Sequence, residues 1–264
     1  MRALGLSAAL AMLCNTGAWA ADAASGASTK PTVVLVHGAF AESSSWDGVA
    51  SRLMARGYTV VAAANPLRGV QSDAKYVASV VDSIPGRVVL VGHSYGGQVI
   101  TNVTGTKDNV KALVYVAGFA PEAGESAEAL AGKFPGSTLG PTLAPPVPLS
   151  DGGSDLYIDQ AKFHAQFAAD LPRSQTVLMA AGQRPITLSA LKEVSGAPAW
   201  KTIPSWFIYG NRDKNIPPAL QPFMAKRAAA KKSVEVPGAS HVVMTSHPAV
   251  VAKLIEEAAR AADQ

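Results

Sequence analysis

The chain has 264 residues, 48% of them hydrophobic and 16% charged, which supplies a substantial core and excludes a disordered chain. Length alone leaves one large domain or two small ones open. The formal charge of +4 is small, and basic residues cluster only as pairs such as Lys226-Arg227 and Lys231-Lys232, which argues against nucleic acid as a partner.

Residues 1–20 read as a secretory signal peptide. Arg2 supplies the charged start, Ala3 to Leu13 the apolar run, and Ala18-Trp19-Ala20 a small-x-small cleavage site. The run is too short to span a bilayer, so export to the periplasm or medium is expected, without stable membrane insertion. The single cysteine, Cys14, falls in this segment. Cleavage after Ala20 leaves no thiol for disulfides or for nucleophilic chemistry. Residues 21–30 are small and polar and read as a flexible lead-in, followed by one domain over 31–264.

From Pro31, apolar β-branched runs alternate with helical patterns. Strands are predicted at Thr32 to Val36, Tyr58 to Ala63, Arg87 to Val91, Ala112 to Val116, Ser205 to Tyr209 and Ser233 to Val236. A helix starts near Ser43-Ser44-Ser45-Trp46-Asp47, turns Val49, Leu53 and Met54 inward and stops at Gly57. Another opens at Ser72-Asp73, and a third follows Gly97 to about Thr104. Such alternation builds a mainly parallel six-stranded sheet flanked by helices, with ligands expected beyond the C-terminal strand ends. Between 121 and 204 the rhythm breaks, with prolines 141, 145, 146 and 148 and helical patterns near 160–169 and 175–181. This stretch reads as a small helical cap over the site.

Polar residues collect where the strands end. Gly92-His93-Ser94-Tyr95-Gly96 matches G-x-S-x-G between Val88-Val89-Leu90-Val91 and Gln98-Val99-Ile100, the strand–turn–helix setting that exposes a nucleophilic serine. A serine needs a base. Of five histidines, His241 follows the last strand, whereas His247 sits beside Pro248, His164 lies in the cap, His37 belongs to the first loop, and His93 is expected to point away from the serine. Asp213 follows the fifth strand and completes the order Ser, Asp, His. Asp73, Asp82 and Asp108 fall in or beside helices and are weaker candidates. Backbone N–H groups for the oxyanion are expected from Tyr95 and from Ala39 or Phe40. The histidines lack metal-ligand spacing and no dinucleotide or phosphate loop is present, so no metal and no cofactor are expected.

Together Val36-His37-Gly38-Ala39-Phe40, Val91 to Gly97, Tyr209 to Pro217 and Gly238 to His241 resemble the α/β-hydrolase superfamily. The nearest resemblance is to the compact branch of plant methylesterases, hydroxynitrile lyases and exported bacterial esterases. The resemblance covers Thr32 to the C-terminus and implies a six-stranded core with a small helical cap. Val242 and Gly38 stand where cyanohydrin lyases of that branch carry lysine and threonine, and Ser94 excludes the aspartate-nucleophile chemistries. The expected activity is hydrolysis of a small uncharged carboxylic ester, lactone or thioester through an acyl-enzyme. An exported binding or sensor protein with little turnover, and a hydrolase of amide or C–C bonds, remain alternatives. Phe134, Tyr157, Phe163, His164, Phe167, Met179 and Trp200 are candidates for the pocket wall.

Overall fold

The computed structural model describes residues 30–103 and 108–262. The segment expected to be a signal peptide, 1–20, and all of the expected lead-in except Lys30 lie outside the described residues.

In chain order, β1 (Thr32–Val36) leads through a 3-10 turn (Ser43–Trp46) into α1 (Asp47–Ala55), followed by β2 (Val60–Ala63) and α2 (Val70–Asp82). Next come β3 (Val88–His93), α3 (Tyr95–Thr101) and β4 (Val110–Val116). The stretch after β4 contains α4 (Ala127–Ala131), β5 (Val147–Pro148), β6 (Ser154–Leu156), α5 (Gln160–Phe167), α6 (Arg173–Ala181), β7 (Ile186–Thr187) and α7 (Leu188–Lys192). The chain then returns through β8 (Ser205–Gly210), α8 (Leu220–Arg227), β9 (Lys232–Val236), the short α9 (Val243–Ser246) and α10 (Pro248–Ala261).

Six strands form one sheet in the order β2-β1-β3-β4-β8-β9, and all five pairings are parallel. The continuous apolar runs of β1 and β3 are buried because helices cover both faces of such a sheet. The strand order reverses between β1 and β3, which opens a crevice at their C-terminal ends. Ser94 follows β3 at that point.

The stretch between β4 and β8 is not purely helical. It carries an antiparallel sheet in the order β5-β6-β7, whose strands are two or three residues long and too short to show a period in the sequence. Two helix details also differ from expectation. Met54 lies on the exposed face of α1 at 55% exposure, while Val49 and Leu53 are buried. The second helix begins at Val70 rather than Ser72, because the Glu193 carboxylate accepts from the amides of Val70 (2.6 Å) and Gln71 (3.2 Å) and so caps it from a distant segment.

Candidate active site

The turn after β3 is closed on all sides. A Cβ on Gly92 would lie 2.5 Å from the Gly96 carbonyl oxygen, and one on Gly96 would lie 2.5 Å from that of Val36. Only hydrogen fits where α3 crosses β1 and β3. Ser94 pays for this packing with φ 53° and ψ −123°, a region costly for a residue with a Cβ. Its backbone is braced by a bond from its own N–H to Ala117 (3.1 Å) and bonds to its carbonyl from Gly97 (2.9 Å) and Phe119 (3.1 Å).

His241 and Asp213 meet across the ends of β8 and β9. Nδ1 of His241 donates to Oδ2 of Asp213 at 2.7 Å, with both side chains fully buried. Oδ1 of Asp213 accepts from the amides of Asn215 (2.8 Å) and Ile216 (3.0 Å), so both carboxylate oxygens are satisfied. With the proton on Nδ1, His241 presents a lone pair at Nε2. That atom is buried and has no hydrogen-bond partner among the described residues. Ser94 Oγ is therefore not bonded to it in this geometry, as is common in ligand-free sites.

His93 is absent from the cavity wall that Ser94 lines and packs against His241 instead. Its ring lies 4.7 Å from the His241 ring, centroid to centroid, and its Nε2 donates to the His241 carbonyl at 3.1 Å. Complete burial, and then the neighbouring imidazole, hold its pKa well below the ordinary value, so it is a neutral support behind His241. Phe167 of α5 covers the same imidazole at 5.1 Å.

The loop after β1 is fixed by His37. Its Nε2 accepts from the Asn65 amide (3.1 Å), so Nδ1 carries the proton and donates to the Gly38 carbonyl (2.9 Å). Burial lowers its pKa to about 4, and Arg184 adds to that effect against the opposing bond to Gly38. Asn65 Nδ2 also donates to the His37 carbonyl at 2.9 Å.

Of the three amides expected to face an oxyanion, Phe40 is corrected. With φ 61° it turns its N–H onto the Arg184 carbonyl at 2.9 Å, where it serves structure. The acceptor lies far along the chain, beyond the reach of a local reading. Ala39 and Tyr95 both line the cavity with Ser94, and Tyr95 opens α3, where the first N–H groups have no intrahelical acceptor. The Tyr95 ring is anchored because its hydroxyl donates to Asp73 at 3.0 Å. Burial raises the Asp73 pKa, opposed by bonds from the Arg68 amide and the Tyr95 hydroxyl.

The cavity beside Ser94 measures about 210 Å³. Its wall is dominated by Phe119, Leu139, Leu143, Leu156, Leu188 and Ile216. None of the aromatic, histidine or methionine candidates expected there lines it. Phe163 and Phe167 are core residues, and Trp200 is held by its Nε1 bond to the Pro121 carbonyl (2.9 Å).

The alpha/beta hydrolase family model matches residues 33–254, which spans the whole sheet and its site. The chain belongs to the alpha/beta hydrolase family. Among curated relatives, an alpha/beta hydrolase named nvfD from Aspergillus novofumigatus is 26% identical over 87% of this chain and 97% of its own length. Polyneuridine aldehyde esterase shares the fold with a TM-score of 0.74 and 20% identity, covering 86% of this chain and 98% of that one. An extracellular alpha/beta-hydrolase from a Paenibacillus species, described as sharing structural and functional homology with tobacco Salicylic Acid Binding Protein 2, has a TM-score of 0.70 and 22% identity over 87% of this chain and 99% of that one.

One site residue escaped the sequence reading. Asn215 stands in the cavity wall two positions after Asp213 and is only 5% exposed. The signal for it was its place just past a C-terminal strand end, where open parallel sheets bind their ligands.

Proposed function

We propose that this alpha/beta hydrolase cleaves a small uncharged carboxylic ester through an acyl-enzyme. The observation that carries the reading is the polarised imidazole. His241 donates from Nδ1 to Asp213 and keeps a buried, unpartnered lone pair at Nε2, and Asp213 in turn accepts from the amide of Asn215, which lines the cavity together with Ser94. The names of its fold neighbours, an esterase among them, support the same class of bond.

In the forward step, His241 Nε2 takes the Ser94 hydroxyl proton as Oγ bonds to the ester carbonyl carbon. Negative charge gathers on the carbonyl oxygen, where the Ala39 and Tyr95 amides stabilise it. The imidazolium, held by Asp213, returns its proton to the alkoxy oxygen as the C–O bond breaks and the alcohol leaves. A water then loses a proton to His241 and attacks the acyl carbon. Collapse of that intermediate restores Ser94 and releases the acid. The leucine-rich wall supports an apolar group on the substrate, since it removes such a group from water at about 25 cal/mol per Å².

A fluorophosphonate probe followed by panels of short-chain esters, lactones and amides tests this reading. Labelling at Ser94 with ester turnover is the expected result. Absence of labelling refutes it, labelling without turnover favours a binding or sensor role, and turnover confined to amides moves the chemistry to another bond. Export belongs to the same reading: we propose removal of residues 1–20, so mass spectrometry of the secreted protein is expected to find Ala21 first, and an intact Met1 refutes it.

A further inference from the structure

Apart from Ser94, the wall offers few polar side chains. Glu128 and Ser137 are solvent-exposed, and the Tyr95 hydroxyl is committed to Asp73. Asn215 is different. It is 95% buried, and a chain of bonds fixes which way its amide faces. Gln166 Nε2 donates to the Lys214 carbonyl (2.9 Å) while Gln166 Oε1 accepts from Thr138 (2.8 Å), which settles the Gln166 orientation. Gln166 Nε2 also donates to Asn215 Oδ1 at 2.7 Å, so the oxygen of Asn215 is turned to Gln166. Its NH2 group then faces the other way. Among the described residues Nδ2 has no acceptor and is not fully enclosed, and Asn215 lines the cavity.

Water can satisfy such a donor, and a ligand that displaces the water without supplying an acceptor leaves the donor unpaired at a cost, whereas one that supplies the acceptor does not. The geometry points to Asn215 Nδ2 as a specificity donor for substrates carrying a second oxygen acceptor, an ether, carbonyl or hydroxyl oxygen, beyond the scissile ester. Ser94 selects the ester and Asn215 selects the oxygen. Leucines around both exclude charged equivalents. This rests on the ester-hydrolase reading of the same cavity, and its test separates the two.

The test uses isosteric pairs in which one CH2 becomes an ether oxygen. Methyl pentanoate against methyl 3-methoxypropanoate probes the acyl side, and butyl butanoate against 2-methoxyethyl butanoate probes the alcohol side. The readout is the ratio of kcat/KM for the ether ester to that for its alkyl partner, in the full chain and in Asn215→Leu and Asn215→Asp. Both substitutions leave Gln166 Nε2 bonded to Lys214, and circular dichroism checks their fold. The ratio is expected to fall about tenfold in both variants for one of the pairs, and that pair identifies the side held in the cavity. Ratios unchanged within about twofold in both pairs overturn the proposal. Binding of the same pairs to Ser94→Ala, followed through the Asn215 side-chain NH2 signals by NMR, reads the site without turnover. If the native chain hydrolyses no ester but the ether ligands alone shift those signals, the hydrolase reading fails and the Asn215 site stands. Equal shifts from ether and alkyl ligands overturn the Asn215 site.

Discussion

Acidification tests the loop that presents Ala39. His37 is fully buried, donates from Nδ1 to Gly38 and accepts at Nε2 from the Asn65 amide. Burial disfavours a second proton, which would also set two N–H groups head to head, and lowers the pKa from 6.5 to about 4. Because the folded value lies below the unfolded one, the unfolded chain binds more protons between those limits. The neutral histidine's contribution is thus complete above pH 6.5 and is lost as pH falls toward 4. A shift of that size corresponds to about 3 kcal/mol in full, of which about 2 kcal/mol is gone by pH 5. His93, also held neutral by burial, adds a loss of the same sign, so the assay must isolate His37. Urea unfolding of the native chain and of His37→Gln at pH 7.5 and pH 5 does so. Glutamine does not titrate, so the stability gap between the two proteins is expected to narrow by about 2 kcal/mol on acidification. A gap constant within about 0.5 kcal/mol refutes the assignment.

Three further outcomes follow from the same geometry. Ser94→Gly relieves the positive-φ strain, so urea unfolding is expected to show a gain of about 1 kcal/mol alongside complete loss of probe labelling; a less stable variant refutes the strain. In Asp213→Asn the new side-chain oxygen must stay on the Asn215 and Ile216 amides, which turns its NH2 to His241 Nδ1 and forces the proton onto Nε2; kcat is expected to fall about 10⁴-fold in a folded protein, and a loss below tenfold removes Asp213 from the site. Gly210→Ala drives a Cβ into the Ala239 and Ser240 carbonyls, so both thermal stability and ester turnover are expected to drop because the His241 loop must move; normal turnover refutes that coupling.

The contrast between what was legible and what was not has a physical basis. Buried parallel strands are continuous apolar runs, and the glycines around Ser94 fall at the fixed spacing of one short turn, so both can be read locally even though Gly96 is required by the distant Val36 carbonyl. The triad candidates Asp213 and His241 were readable for a related reason: each follows its own strand, and a parallel sheet brings all such ends to one edge. The wall of the cavity obeys no local rule. Leu139 and Leu143 flank one turn while Leu156 and Leu188 come from separate segments, and a leucine facing a chamber looks the same in sequence as one facing the core. Aromatic residues were the wall candidates instead, yet Phe167 packs on the His241 imidazole and Phe163 on Phe167, both in the core.

The same distinction explains Phe40 and Asn215. Each is oriented by a partner distant in sequence: the Arg184 backbone carbonyl accepts from the Phe40 amide, and Gln166 Nε2 donates to Asn215 Oδ1. Both partners lie between β4 and β8, as does Glu193, which caps α2. That insertion therefore does more than cover the sheet edge. It supplies bonds that orient groups at that edge, so Gln166→Leu, which removes the bond to Asn215 Oδ1, is expected to alter substrate choice while the Asp213–His241 pair, built from the ends of β8 and β9, keeps its geometry.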